Sequence, residues 1–325
     1  MLKKDNDLVF KIKKTTELSD QDIEQLLYLI RSTVNVEKTK KNYKDKYLHN
    51  FLGYSFHALM IKDNKIVGCN TVIPQEFNFF NKNIVFGQWC ETLIDKNFRG
   101  GFSNFKKLGK ILNENLLKNN IFFIYGLPNR ALYIVSKRLL GMQDIGKLDY
   151  YVYPKKMNKF LTKFYPLNII LCFALKTFLK FKFRFNRNYN FKIYKINNEN
   201  FHKSRYLNDN NYKTVVNDKL QFTFKLENSE NHNNAKIIWI MDIYPLSRSN
   251  LEECVNQLIN MDHGEDLIVY IGKLRPVPYN LIKIPDKFIK EHNIFSGKIL
   301  DETKVDKSVF DYKLWNINSS NFDYR

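Results

Sequence analysis

The sequence predicts an α/β protein (α+β, with a mixed sheet) built in two parts. Three observations carry that expectation. Over roughly the first 155 residues, segments follow one another in the order β, α, α, a β meander, α, β, α, β. One strand there meets a helix at a basic corner holding Gly100 and Gly101, the kind of place where an α/β fold receives anionic ligands. From Phe191 onward helical and strand segments recur, which predicts a second, smaller α/β unit.

Leu8 to Ile12 reads as a short first strand. Ser19-Asp20-Gln21-Asp22 has the form of a capping box, followed by Ile23, Leu26, Leu27 and Ile30 at helical spacing. Tyr43 to Phe51 predicts a second helix that stops at Gly53. Phe56–Ile61 and Ile66–Ile73 flank Asp63-Asn64 as a β-hairpin, and Glu76–Phe80 with Ile84–Asp95 form a further strand pair. Phe105, Leu108, Leu112 and Leu116 mark one face of a helix. Ile121–Tyr125 is a buried-strand run, Asn129–Leu140 is helical and Met142–Tyr153 returns to strand. In the second part the corresponding segments are Lys236–Met241, Leu251–Met261, Asp266–Ile271 and Pro285–Phe295. The expected domains are 1–155, a basic amphipathic linker helix over 156–190, and 191–325.

Composition narrows the classes. With 44% hydrophobic residues the chain is rich enough to bury cores, and its formal charge of +19 suits an anionic partner or simply reflects a Lys-rich composition. No arginine-glycine tract, RNP-like aromatic motif or zinc-finger spacing points to nucleic acid. Cys69, Cys90, Cys172 and Cys254 lie far apart, so neither a disulfide framework nor a zinc site is expected, and a cytoplasmic, reducing setting fits. The opening MLKKDNDLVFKIKK has no apolar run of signal-peptide length. Between Asp149 and Glu199 there are eleven Lys and Arg and no acid, around an apolar run from Phe164 to Leu175. That run is too short to span a bilayer; it reads as a packed interdomain helix or as one lying on an anionic membrane surface.

The run Gly87-Gln88-Trp89-Cys90-Glu91-Thr92-Leu93-Ile94-Asp95-Lys96-Asn97-Phe98-Arg99-Gly100 resembles the fourth strand and phosphate loop of GNAT N-acetyltransferases. Downstream, Phe123-Ile124-Tyr125-Gly126-Leu127-Pro128-Asn129, then Tyr133 and Gly141-Met142, resemble a second signature of that family. The resemblance covers about the first half of the chain. It implies a GNAT-type acyl-CoA acyltransferase fold followed by a degenerate GNAT-like half. The implied reaction moves an acetyl group from acetyl-CoA, as co-substrate, to a primary amine. An amino sugar of a surface-glycan pathway is one candidate acceptor; an aminoacyl transferase of peptidoglycan-bridge type and an inactive binding module are the alternatives. The loop departs from the family pattern: Phe102 stands where a glycine is usual and Asn104 where a small residue is usual.

By resemblance, the backbone of Thr92, Leu93 and Ile94 holds the thioester arm. Arg99, Gly100, Gly101, Phe102, Ser103 and Asn104 form the diphosphate turn, and Asn129 contacts the cofactor arm. The physics agrees, since a glycine turn feeding a helix N-terminus converges N–H donors on an anion. Glu91 is the expected general base, through a water, and Tyr133 the expected proton donor to the leaving thiolate. Cys90 should point to the opposite strand face from Glu91 and pack in the core. His57 and Trp315 are read as structural, and the six scattered histidines predict no metal.

Overall fold

The computed structural model describes residues 8–99, 102–156, 191–196, 199–202, 205–206, 211–230, 234–273, 280–289 and 294–322, with isolated positions 170, 173, 174 and 177. The chain divides into two compact units whose sequences interleave. The first takes residues 1–146, 193–208 and 293–314; the second takes 147–192, 209–292 and 315–325. This corrects the contiguous boundaries expected at 155 and 191. Strand pairing is the reason: Asp149–Pro154 pairs with Leu267–Lys273, whereas Ile193–Lys195 and Ile294–Ile299 join strands of the first unit. The linker helix expected over 156–190, and the membrane contact expected of it, lie almost wholly outside the described residues. No described helix is long and apolar enough to cross a membrane.

In the first unit, β1 (Val9–Lys14) is followed by α1 (Asp20–Val34) and α2 (Lys40–Leu48). The capping box at α1 forms as expected: Ser19 Oγ accepts from the Asp22 amide at 3.1 Å and the Asp22 carboxylate accepts from the Ser19 amide at 2.8 Å. A meander follows, β2 (Phe56–Lys62), β3 (Lys65–Phe79) and β4 (Lys82–Ile94), whose first turn holds Asp63 and Asn64 at φ 48° and 60°. Both central residues at positive φ are what a two-residue hairpin turn requires. Then come α3 (Ser103–Lys118), β5 (Phe123–Gly126), α4 (Arg130–Val135) running into a π-helical turn (Ser136–Leu140), and β6 (Gln143–Lys147).

The sheet runs β1-β2-β3-β4-β5. The β1–β2, β2–β3 and β3–β4 pairs are antiparallel, and β4–β5 is parallel. One face carries α1 and α2 over Leu59, Ile66, Cys69, Ile73 and Leu93. The other carries α3 over Phe56, Ala58, Val72, Trp89 and Ile124. Two strands were expected where β3 is continuous through Pro74. The β2 ladder ends at Val72 and the Ile193–Lys195 ladder begins at Phe77, so the missing proline N–H falls where β3 has no ladder partner on that side among the described residues.

Gly87 sits at the first β4–β5 pair, and a Cβ there would lie 2.7 Å from Val72 Cγ1 and 3.1 Å from Ile124 Cγ2. Gly87→Val is expected to cost about 1–3 kcal/mol by overpacking. Thermal denaturation reads this directly; an unchanged Tm would refute the close approach.

The second unit repeats the same plan. An antiparallel meander of Tyr212–Val216, Gln221–Ser229 and Ala235–Tyr244 leads through the helix Arg248–Met261 to Leu267–Lys273, which runs parallel to Ala235–Tyr244. Past the Ile240–Tyr270 pair, Leu267–Lys273 takes Trp315–Asn318 as its partner through Gly272–Asn318 and Lys273–Ile317. Trp315, Ile317, Asn318, Ser319, Ser320, Asn321 and Phe322 are all buried.

Candidate active site

The first unit opens where the second is filled. β4 pairs with β5 only at Gly87–Ile124 and Gln88–Tyr125, yet continues along β3 to Ile94. Past Gln88, the edge of β4 that faced β5 has no strand ladder among the described residues. Trp89 Nε1 and Thr92 Oγ1 both donate to Asn70 Oδ1, at 2.5 and 3.0 Å, and tie this stretch back to β3.

At the same point the strand bulges. Asn70 faces Thr92 and Val72 faces Trp89, so Thr71 alone stands opposite both Cys90 and Glu91. Cys90 packs against the cluster beneath α1 and α2, and Glu91 bonds to α2. The two side chains therefore share a face, which corrects the strict alternation expected of them. An extra residue in a strand cancels the period of two locally, and no composition cue marks it.

Glu91 lies in an ionic cluster that the sequence reading missed. Lys38 Nζ and Lys46 Nζ each stand 2.9 Å from Glu91 Oε1, and the Tyr47 hydroxyl donates to Oε2 at 2.6 Å. Burial pushes the Glu91 carboxyl up, but the Lys46 and Lys38 charges and the Tyr47 hydroxyl outweigh it and hold the group well below the usual carboxylate range. A carboxylate with so little proton affinity fits poorly with the general-base role expected of Glu91. One signal for the cluster was present. Tyr43, Lys46 and Tyr47 fall at i, i+3, i+4 on the buried face of α2, and a lysine on such a face needs an acid.

Beneath Glu91, His57 is fully buried. One ring nitrogen is 2.9 Å from Thr15 Oγ1; the other is 3.3 Å from the Tyr43 hydroxyl and 3.4 Å from Thr71 Oγ1. Burial drives its pKa down from 6.5 to about 3, with Glu91 opposing and Lys46 reinforcing the shift. It is a neutral structural ring. Burial, with Glu91 adding to it, raises the Cys69 thiol to about 12, leaving it inert.

The other sequence-derived residues spread along the open edge. Leu93 and Ile94 put their side chains into opposite clusters, so any ligand contact from them is through the backbone. Arg99 is exposed and its Nε donates to the Ile94 carbonyl at 3.2 Å. Gly100 and Gly101 lie outside the described residues. Phe102 is the residue before α3 and is 61% exposed. Asn104 is buried, its amide donating to the Phe98 carbonyl at 2.9 Å, so it braces the turn. α3 begins at Ser103 without a side-chain cap, whereas Ser19, Thr39, Asn129 and Ser247 cap α1, α2, α4 and Arg248–Met261. Its first N–H donors are thereby left to another acceptor. Asn129 caps α4 through the Leu132 amide at 3.0 Å. The Tyr133 hydroxyl donates to Asp144 at 2.8 Å and accepts from Lys137 at 3.1 Å, near the surface. Among the described residues no cluster of His, Cys, Asp or Glu could hold a metal ion.

No protein-family model and no curated protein matches the sequence. Solved structures do. A GCN5-related N-acetyltransferase from Anabaena variabilis superposes with TM-score 0.57 at 12% identity, over 90% of this chain and 73% of that one. A probable N-acyltransferase from Enterococcus faecalis gives 0.57 at 10% identity, over 90% and 73%. N-myristoyltransferase from Saccharomyces cerevisiae, solved with bound myristoyl-CoA, gives 0.50 at 11% identity, over 89% and 82%. The chain has the GCN5-related N-acetyltransferase fold, as its fourth-strand and Pro-Asn motifs implied. The likeness covers about nine-tenths of this chain and so runs through both units.

Proposed function

We propose that this protein transfers an acyl group, acetyl in the simplest case, from acyl-coenzyme A to a primary amine. The observation that carries the reading is the opening of β4 from β5 past Gln88, with a bulge at its apex and the uncapped start of α3 at its mouth. These parts fit an acyl-CoA. A pantetheine arm could run along the main chain of Thr92, Leu93 and Ile94 on the edge that β5 leaves. A diphosphate would supply acceptors to the N–H groups of Ser103 and Asn104, aided by the helix dipole and by the Arg99 charge, with Gly100, Gly101 and Phe102 shaping the turn. Bound there, the coenzyme supplies the activated thioester. The protein's part is to orient it, offer an N–H to the developing oxyanion and keep the amine close. Asn129 would steady the start of α4 against the arm. Tyr133, its hydroxyl held between Asp144 and Lys137, is the proposed proton donor to the leaving thiolate. Glu91 would set the electrostatics on the acceptor side of the bulge. An amino sugar is a candidate acceptor by analogy of fold alone.

Only the first unit is proposed to bind coenzyme, because in the second the equivalent opening is occupied by the chain's own Trp315–Asn318. Calorimetry with acetyl-CoA should give one site per chain, and Arg99→Ala should weaken it severalfold. Binding should also slow alkylation of Cys90, the partly exposed thiol at the bulge. Absence of binding heat together with unprotected Cys90 would sink the reading.

A further inference from the structure

The ionic cluster places an amine of the protein itself beside the bulge. Lys38 lies in the connection between α1 and α2, its side chain 17% exposed, and its Nζ is 2.9 Å from Glu91 Oε1. Glu91 and Cys90 form the bulge just past the last β4–β5 pair. Lys38 also lines an open hollow of about 410 Å³ with Leu27, Tyr28, Arg31 and Glu37, which gives solvent a route to it. Lys46 stands at the same distance from the same oxygen, but on a helix and with a side chain only 3% exposed. Lys40, Lys41 and Lys44 pair with Glu24, Asp45 and Asp20 at the surface of α2.

Resting on the transferase reading, we infer that Lys38 is a self-acylation site: with no amine substrate present, a bound thioester passes its acyl group to Lys38 Nζ. The ammonium releases one proton to solvent and the neutral amine attacks the thioester carbonyl. The new C–N bond forms as the C–S bond breaks. The departing thiolate takes a proton from Tyr133 and leaves as free coenzyme thiol; the second nitrogen proton is released and restores Tyr133 through solvent, while Lys38 becomes an uncharged amide. Glu91 then loses one ion pair and keeps Lys46 and Tyr47, so the α1–α2 connection is untied from β4. Lys38 in this view occupies the position an acceptor amine takes, which makes it both a place-holder and a competitor.

The test is incubation of the full chain with isotope-labelled acetyl-CoA and no acceptor, followed by peptide mass spectrometry. Label is expected on Lys38 at least about tenfold faster than on Lys40, Lys41 or Lys44, with none on Lys46. Lys38→Arg keeps a cation for Glu91 but removes the nucleophile, and should abolish that label while leaving Tm unchanged. Chain unfolded in urea should lose the selectivity. Label spread evenly over surface lysines, or none on Lys38 while acetyl-CoA still protects Cys90, overturns the inference and leaves the transferase reading standing. Failure of acetyl-CoA to bind at all overturns both.

Discussion

Glu91→Gln is expected to destabilise the folded chain by about 3 kcal/mol. Glutamine keeps the shape of the side chain and one acceptor for the Tyr47 hydroxyl, so the change isolates the charge. What remains is Lys46, 3% exposed, facing an uncharged amide. Breaking a buried pair from one side costs on the order of 3–5 kcal/mol because the surviving ion stays desolvated. The partial exposure of Glu91 (18%) and Lys38 (17%) argues for the lower end. Urea denaturation at neutral pH should show a lower midpoint with an unchanged slope. Adding Lys46→Met to the same chain should recover much of the loss, since the stranded cation is then gone. A Glu91→Gln chain within about 0.5 kcal/mol of wild type would mean the cluster is solvated and would return Glu91 to the list of candidate bases.

Acid should unfold this protein early, beginning near pH 6.5. An unfolded histidine takes up a proton around pH 6.5, but His57 in the fold does so only near pH 3. Between those values the unfolded chain binds more protons than the folded one, so stability rises with pH. The His57 contribution is complete above 6.5 and is lost as pH falls, at about 1.4 kcal/mol per pH unit. Glu91 adds a second stage. Its carboxyl ordinarily titrates at 4.5 and lower still in the fold, so its stabilisation is complete above 4.5 and is lost progressively as pH falls below that value toward the depressed folded one. Urea midpoints measured at pH 7.5, 6 and 5 should therefore decline progressively. His57→Gln should be weaker at pH 7.5, having lost the Thr15 and Tyr43 bonds, but flatter between 6.5 and 4.5. A wild-type midpoint that stays level from pH 7.5 to 5 would contradict a buried neutral ring.

Much of the first unit was legible in the linear order of residues, because its determinants are local. Ser19 and Asp22 are three residues apart and close a capping box without help from elsewhere. Leu108, Leu112 and Leu116 recur at the period that puts them on one face of α3. Gly141 closes the π-helical turn at φ 70°, a conformation glycine takes without strain. The strand-turn-helix motif around Arg99 is equally local, and with the Pro-Asn motif it was enough to imply the fold. The surroundings of the candidate site were less legible. Lys38, Lys46 and Tyr47 meet Glu91 across 53, 45 and 44 residues, and no spacing in the chain announces such an encounter.

By itself the sequence determined the element types and the family of fold, and it nominated the stretch from Gln88 to Asn104 as the candidate site. The tertiary structure alone decided which strands belong to which unit, that Cys90 and Glu91 share a face, and that Lys38, Lys46 and Tyr47 gather around Glu91. The division has a physical cause. Caps, turns and amphipathic periods are set by residues within a turn or two of each other. Ladder partners, bulges and buried ion pairs are set by free energies between segments far apart in the chain, and those exist only once the sheet has closed.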